Sequence, residues 1–416
     1  MAGVSGVTTK LDHWRTHTRL HHGSHRQLLS TPSTPYPMDV DAIIVPTGRN
    51  AAAMRQAMRL AGKLNCTLMA LCSKYSSAAA VAAMPEAKGI KLIALDAGKL
   101  PQGVLPAFRT CDLLKGTKFA RNTDTSAKRN LGLLLARLIG WNKIVFLDDD
   151  ITVPEPLDLR EAAGLTSYYA GVGLNIEGMR DNSVVCHAYR EAGGKQDVFV
   201  GGGALAVAVN ATTSFFPNIY NEDWFFLLDD DGLKATTLTG KALQREYDPF
   251  AHEDRARREE FGDTLAEGLF WLLDEGRTIN DADEAHWQDF LGRRRGFIAK
   301  TAEMVGQLAP SDRRSRMFTS LEAACGRSQL ITPRSCVRFV EAWHQDRLTW
   351  RQHLERMHWN LVVKKRMAHR DRRTLAAVRR LLCSLELRRY HLSLPVERLD
   401  HDPADLDGPL AVAVGE

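Results

Sequence analysis

Short apolar runs alternate with amphipathic stretches along the first 150 residues. Residues 41–45 predict a buried strand that ends at Pro46-Thr47-Gly48. Residues 51–64, rich in Ala, Met and Leu, predict a helix. A second strand follows over 67–72, a short helix over 78–84, and a third strand over 90–95. Residues 126–139 predict a strong helix, with Ser126 in place as its N-cap. Residues 144–147 are an apolar strand, followed at once by Asp148, Asp149 and Asp150. This order argues for a parallel sheet covered by helices.

Beyond residue 160 the pattern loosens. Residues 170–176, 184–189 and 204–209 predict strands, the last preceded by Gly201-Gly202-Gly203. Residues 221–228 begin polar and turn apolar, as a buried helix or strand does, and 255–273 predict a helix. From about 280 the chain reads as basic helices punctuated by Trp and Leu. The expected organisation is an arm over 1–37, loosely attached, an α/β domain over 38–278, a basic helical domain over 279–394 and a polar tail over 395–416.

Composition narrows the class. A chain of 416 residues with 44% hydrophobic and 25% charged residues fits a globular protein. No apolar run reaches the roughly 18–20 residues of a membrane span. The N-terminus lacks the apolar core of a signal peptide. The seven cysteines are scattered without a Cys-x-x-Cys pair, which fits a cytoplasmic protein rather than a zinc module or a disulfide framework.

The net charge of +5 hides an asymmetry. Residues 221–290 carry 19 Asp/Glu against 7 Lys/Arg, and residues 291–390 carry 23 Lys/Arg against 8 Asp/Glu. A basic helical surface of this kind suits solvent, phosphate or an anionic membrane. No nucleic-acid module accompanies it, so no specific nucleic-acid partner is expected.

The carboxylates at 148–150 carry the chemistry. Clustered carboxylates repel unless a proton or a cation neutralises them. At the carboxyl edge of an open α/β sheet, where ligands bind, a divalent cation suits the task. Asp also favours solvated turns, so Asp-x-Asp alone does not decide the matter.

The surrounding residues sharpen the reading. Lys128-Arg129-Asn130-Leu131-Gly132 opens the helix that precedes the carboxylate strand. Together with Gly140-Trp141 and Ile144 to Asp150, this segment resembles the nucleotide-sugar half of glycosyltransferase family 2 and its GT-A relatives. Ile43-Ile44-Val45-Pro46-Thr47 is similar to the first strand of that family, which ends beside the nucleotide base. Asn221-Glu222-Asp223-Trp224 resembles its acceptor-side acidic motif, and Gly201–Gly203 its glycine-rich turn. The resemblance covers about residues 40–275. It implies a GT-A, Rossmann-like sheet followed by a helical C-terminal domain, and a hexosyl transfer from a nucleotide-diphosphate sugar to an acceptor whose identity stays open.

The resemblance also implies residue roles. Asp148 and Asp150 would hold Mn²⁺ or Mg²⁺, with His252 as a third ligand. Asp223 would be the general base, with Glu222 beside it. Pro46, Thr47, Arg49, Asp96, Lys128, Arg129, Asn130, Asp148, Asp149, Gly202 and Gly203 would line the donor site. One departure stands out. Where the family carries an acidic pair and Gly-Ser after the second strand, this chain has Leu71-Cys72-Ser73-Lys74-Tyr75-Ser76. The base contact would then come from Ser73 or Asp96, and UDP and GDP sugars both remain open.

Two other readings compete. Asp148-x-Asp150-x-Thr152 also resembles the first motif of haloacid-dehalogenase-type phosphatases, with Asp229-Asp230-Asp231 as a late acidic motif. That motif normally opens its domain, whereas here about 100 residues of strand and helix precede it. A non-catalytic nucleotide-sugar binding protein on the same fold is the third reading.

Overall fold

The computed structural model describes residues 24–179, 183–364, 370–395 and 410–415. Its strands are β1 (Ala42–Thr47), β2 (Thr67–Cys72), β3 (Lys91–Asp96), β4 (Lys143–Leu147), β5 (Ile151–Thr152), β6 (Gly171–Gly178), β7 (Ala204–Ala208), β8 (Thr236–Gln244), β9 (Tyr390–Pro395) and β10 (Leu410–Gly415). All ten join one mixed sheet in the order β10-β9-β3-β2-β1-β4-β7-β6-β8-β5. β3, β2, β1 and β4 run parallel, and β7 lies antiparallel between β4 and β6.

The path of the chain creates a crevice. It steps outward from β1 to β2 to β3, then returns to place β4 on the other side of β1. The connections leave the carboxyl ends of β1 and β4 in opposite directions. Open α/β sheets bind ligands at such a switch point. Thr47 ends β1 there, and Asp148–Asp150 follow β4.

Burial explains the apolar runs. Every residue of β2 and β4 is buried, because helices cover both faces of the sheet. Alternate residues of β1 feed opposite faces: Ala42 and Ile44 join one apolar cluster, Ile43 and Val45 the other. The helix Thr125–Ile139 lies on the first face and is buried along most of its length. It approaches β1 closely at Gly132, where a Cβ would sit 2.8 Å from Ile44 Cγ2. Its carboxyl end is closed by Gly140 at φ 83°, the left-handed cap that glycine suits. The same cluster continues past residue 278 into Trp287, Trp343 and Trp350, which are fully buried.

Several expectations need correction. Residues 184–189 form a helix, Val184–Glu191, rather than a strand. The Ser183 side chain accepts from the Cys186 N–H and so starts that helix. Ser126 does not cap the helix expected from it. The N-cap is Asp124, and Ser126 Oγ donates instead to the Pro217 carbonyl. The polar tail contributes a strand, since β10 pairs antiparallel with β9, and β9 pairs with β3 at the end of the expected helical segment.

The described part of the arm is also anchored. His25 is 1% exposed and pairs with Glu267 at 2.8 Å and with Asp274. Burial opposes charge on His25, but those two carboxylates win and raise it to about 9. Residues 1–23 lie outside the described residues. No helix among the described residues is long and apolar enough to cross a membrane.

Candidate functional site

The pairing of β1 with β4 builds the centre of the site. Ile44 lies opposite Phe146. Three residues further along this register, Thr47 faces Asp149, and Thr47 Oγ1 donates to Asp149 at 2.7 Å. The Arg49 guanidinium then spans two carboxylates. Nη1 donates to Asp149 at 2.5 Å and Nη2 to Asp150 at 2.9 Å. The Arg49 side chain is 51% exposed, so these bonds compete with water and the side chain is free to turn toward a ligand.

A second guanidinium joins the strand end to the acidic pair. Arg129, buried in the first turns of its helix, donates Nη2 to both oxygens of Asp148, at 2.9 and 3.1 Å. Its Nη1 donates to Glu222 at 3.0 Å. Arg121 lies 3.5 Å from the other oxygen of Glu222. Glu222 and Asp223 open the helix Glu222–Leu227, where negative charge is favoured. Asn221 before them holds a left-handed conformation, φ 58°.

The glycine run closes against this group. Asp223 accepts from the Gly202 N–H at 2.5 Å and from the Trp224 N–H at 3.0 Å. The Asp148 N–H donates to the Gly203 carbonyl at 2.9 Å. A Cβ on Gly202 would sit 2.6 Å from Arg129 Nη1 and 2.9 Å from Asp223 Cβ. Only glycine lets the backbone come this near.

Negative charge exceeds positive charge here. Burial, with Asp150 and Glu222 nearby, raises Asp148 to about 6, even though Arg129 pulls the other way. Burial and Glu222 likewise raise Asp223 to about 6, against Arg129 and the two backbone N–H groups. Burial disfavours charge on Arg129, but Asp148, Glu222 and Asp223 outweigh it and hold the guanidinium firmly charged.

The structure gathers Thr47, Arg49, Arg129, Asp148, Asp149, Asp150, Gly202, Gly203, Glu222 and Asp223 into this crevice. Other expected site residues have different work. Lys128 is buried and donates to the Thr47 carbonyl at 2.8 Å and to Ser73 Oγ at 2.5 Å. It also pairs with Asp124 at 3.1 Å, so its ammonium ties the ends of β1 and β2 together. Asp96 accepts from the Ala78 N–H at 2.7 Å and braces a short helix. Asn130 clamps the Phe216 backbone, donating at 2.9 Å and accepting at 2.8 Å. Pro46 is part of β1 itself.

His252 does not join the carboxylates. It is exposed, and its carbonyl accepts from the Arg255 N–H as the helix Asp254–Asp274 begins. Among the described residues, no group of three or more His, Cys, Asp or Glu is arranged to hold a metal ion. The donor set nonetheless suits a hard cation. Mg²⁺ commonly uses one or two carboxylates, with substrate phosphates and water supplying the rest. Asp148, where Arg129 only partly offsets burial and the neighbouring acids, and Asp150, whose carboxylate pairs with the exposed Arg49, are the residues that would hold it.

Two contributors were not foreseen. Arg121 carries no pattern that marks it in the sequence. Asp124 does, because it stands four residues before Lys128, a spacing that pairs charges on a helix. The late acidic run is used elsewhere: Asp229 accepts from the Asp231 and Gly232 N–H groups, and Asp230 pairs with Arg347 at 3.0 Å. No family model matches this chain, and no curated protein is similar enough to count as a relative.

Proposed function

We propose that this protein is a glycosyltransferase that moves a sugar from a nucleotide-diphosphate donor to an acceptor hydroxyl at the β1–β4 switch point. One observation carries the reading: Arg129 bridges Asp148, at the end of β4, to Glu222, next to Asp223. A donor-side carboxylate and an acceptor-side acid pair thus share one crevice. The GT-A resemblance supports the same assignment of roles.

Each group has a task. Asp148 and Asp150 would hold Mg²⁺ or Mn²⁺, whose charge would stabilise the departing diphosphate. Arg49 is placed to leave its carboxylates for a phosphate oxygen. Asp223, raised to about 6, is ionised at neutral pH yet basic enough to take a proton from a hydroxyl. Its two backbone N–H contacts fix the carboxylate in direction. Arg129 and Arg121 hold Glu222 beside it.

The phosphatase reading draws no support from the geometry, since the late acidic run is engaged in a turn and with Arg347. A non-catalytic binder remains distinct by its lack of turnover. Calorimetry of UDP and GDP sugars with and without Mn²⁺, on wild type and Asp150→Asn, tests the proposal. The expected result is metal-dependent donor binding that the variant loses, with turnover down by about 10²-fold or more. Unchanged metal-dependent binding in the variant overturns the assignment. Phosphate release from simple phosphate esters, with fluoride-trapped phosphoryl analogues on Asp148, would favour the phosphatase.

A further inference from the structure

The basic C-terminal segment presents an edge that the crevice chemistry does not use. The helix Pro333–His358 runs into a π-helical turn, Trp359–Val363. That turn buries Val362 but leaves Trp359 59% and Val363 41% exposed, with Lys364 exposed beside them. A single exposed apolar side chain is ordinary. An exposed Trp and Val next to a Lys suit a boundary with water on one side and apolar groups on the other.

The charges around this turn form an independent observation. Burial, Arg137 and Arg372 together lower the pKa of His358. Burial and Arg373 lower that of Arg372. Among the described residues, no carboxylate contributes to either shift. Arg137 Nε and Arg372 Nε are buried and make no hydrogen bond among the described residues, so these two guanidiniums add charge rather than open donors. Arg373 Nε is likewise unbonded there, but the Arg373 Nη atoms pair with Asp41 at 2.7 Å and donate to the Gly140 carbonyl. Arg372 and Arg380 also line a small cavity with Leu361 and Val362, which places cations and apolar side chains side by side. Glu355 and Asp371, the acids nearest in sequence, are exposed. Residues 351–390 carry 12 Lys/Arg against 3 Asp/Glu, so the excess of positive charge extends beyond the cluster.

We infer that this edge docks the protein on an anionic membrane surface, with Trp359 and Val363 in the headgroup layer, Lys364 at the lipid phosphates and the charge of Arg137, His358 and Arg372 behind them. The exposed Lys364 ammonium suits phosphate oxygens, and the half-buried guanidiniums behind it add positive field. Clustered cations beside a membrane gain from the negative potential of anionic lipids. Arg129 and Arg137 lie on one helix, eight residues and therefore about 12 Å apart. The docking edge is thus at the opposite end of that helix from the crevice, which stays open to soluble substrates. The inference does not depend on what the crevice catalyses.

Vesicle flotation of the full chain at low salt tests it. Wild type is expected to float with phosphatidylglycerol–phosphatidylcholine vesicles and not with phosphatidylcholine alone. Arg137→Gln combined with Arg372→Gln is expected to lower partitioning by about tenfold or more. Trp359→Ala and Lys364→Gln, both at exposed positions that leave the fold intact, are each expected to lower it about fivefold. Failure of the wild type to float, equal flotation on both vesicle types, or unchanged flotation of all these variants overturns the inference. Binding of inorganic phosphate at the arginine pair without any vesicle binding also overturns it, leaving a free-anion site only.

Discussion

The side-chain amide of Asn221 donates to Asp263 at 3.0 Å. This bond ties the start of the acid-pair helix to a buried charge network on the helix Asp254–Asp274. There Arg294, fully buried, donates to Asp263 at 2.6 Å and to both oxygens of Glu260 at 3.0 and 2.8 Å. Asn221 needs its left-handed backbone to aim Glu222 and Asp223, and that conformation is costly for most side chains.

Asn221 can therefore be tested by two replacements. Asn221→Gly loses the amide bond but adopts the backbone conformation freely. Asn221→Ala loses both. Transfer by the Gly variant is expected to stay within about tenfold of wild type, while the Ala variant falls further and loses about 1 kcal/mol more stability. Equal activity and equal urea midpoints for the two variants would show that the backbone at 221 does not matter.

Gly202→Ala places a methyl group 2.6 Å from Arg129 Nη1 and 2.9 Å from Asp223 Cβ. Either the glycine run or the bridging guanidinium must move. The expected cost is about 1–3 kcal/mol of stability, with transfer down by about 10²-fold. Gly103→Ala is a control for backbone strain, because nothing lies within 4 Å of its would-be Cβ although φ is +84°. Retention of full transfer by Gly202→Ala would remove Gly202 from the site.

Asp223→Asn keeps the size of the side chain and removes the base. Donor binding is expected to survive while transfer drops by about 10²–10⁴-fold. Because Asp223 is raised to about 6, the wild-type rate should fall as pH drops through 6. The variant's residual rate should lose the Asp223 part of that limb and keep only what Asp148, also raised to about 6, contributes. A residual rate with the same acid limb would assign the titration to another group. The anomeric configuration of the product, read by NMR, then shows whether one displacement suffices.

The raised carboxylates also set a stability trend. Asp148 titrates at about 6 when folded and near its ordinary value when unfolded. Between about pH 4 and 6 the folded state holds a proton that the unfolded state has lost. Stability from this group is therefore complete below that window and is lost as pH rises through 6. Asp148→Asn removes the penalty at neutral pH. Because about a third of the side chain meets water, the gain over wild type is expected to be only about 1 kcal/mol at pH 7 and absent at pH 4. Urea unfolding of both proteins at the two pH values measures it. A variant that is equally destabilised at both would mean that the Arg129 bond outweighs the cost of burying the charge.

Local pattern made the parallel half of the sheet legible. Residues 41–45, 67–72 and 144–147 are apolar runs too short for helices, and strands buried on both faces take that form. Asp148–Asp150 after such a run, and Arg129 at a helix start, are likewise local features of the chain. The element at 184–189 misled because its β-branched and aromatic residues suit a strand, while the Ser183 cap decided for a helix. The tail misled because its strand exists only by pairing with β9.

The sequence by itself determined the buried strands of the parallel half, where charge gathers and which residue types stand at those strand ends, since each depends on neighbours a few positions away. Only the tertiary structure decided how those charges are used. Lys128 and Arg129 are adjacent and equally promising as phosphate ligands, yet Lys128 seals the ends of β1 and β2 while Arg129 bridges Asp148 and Glu222. Glu222 lies 93 residues from Arg129, and the pair meets because β7 returns antiparallel to β4 and carries the glycine run to the strand end. A buried charge must find its partner wherever the fold places one. That choice is made by packing across the whole sheet, at sequence separations over which local pattern has no reach.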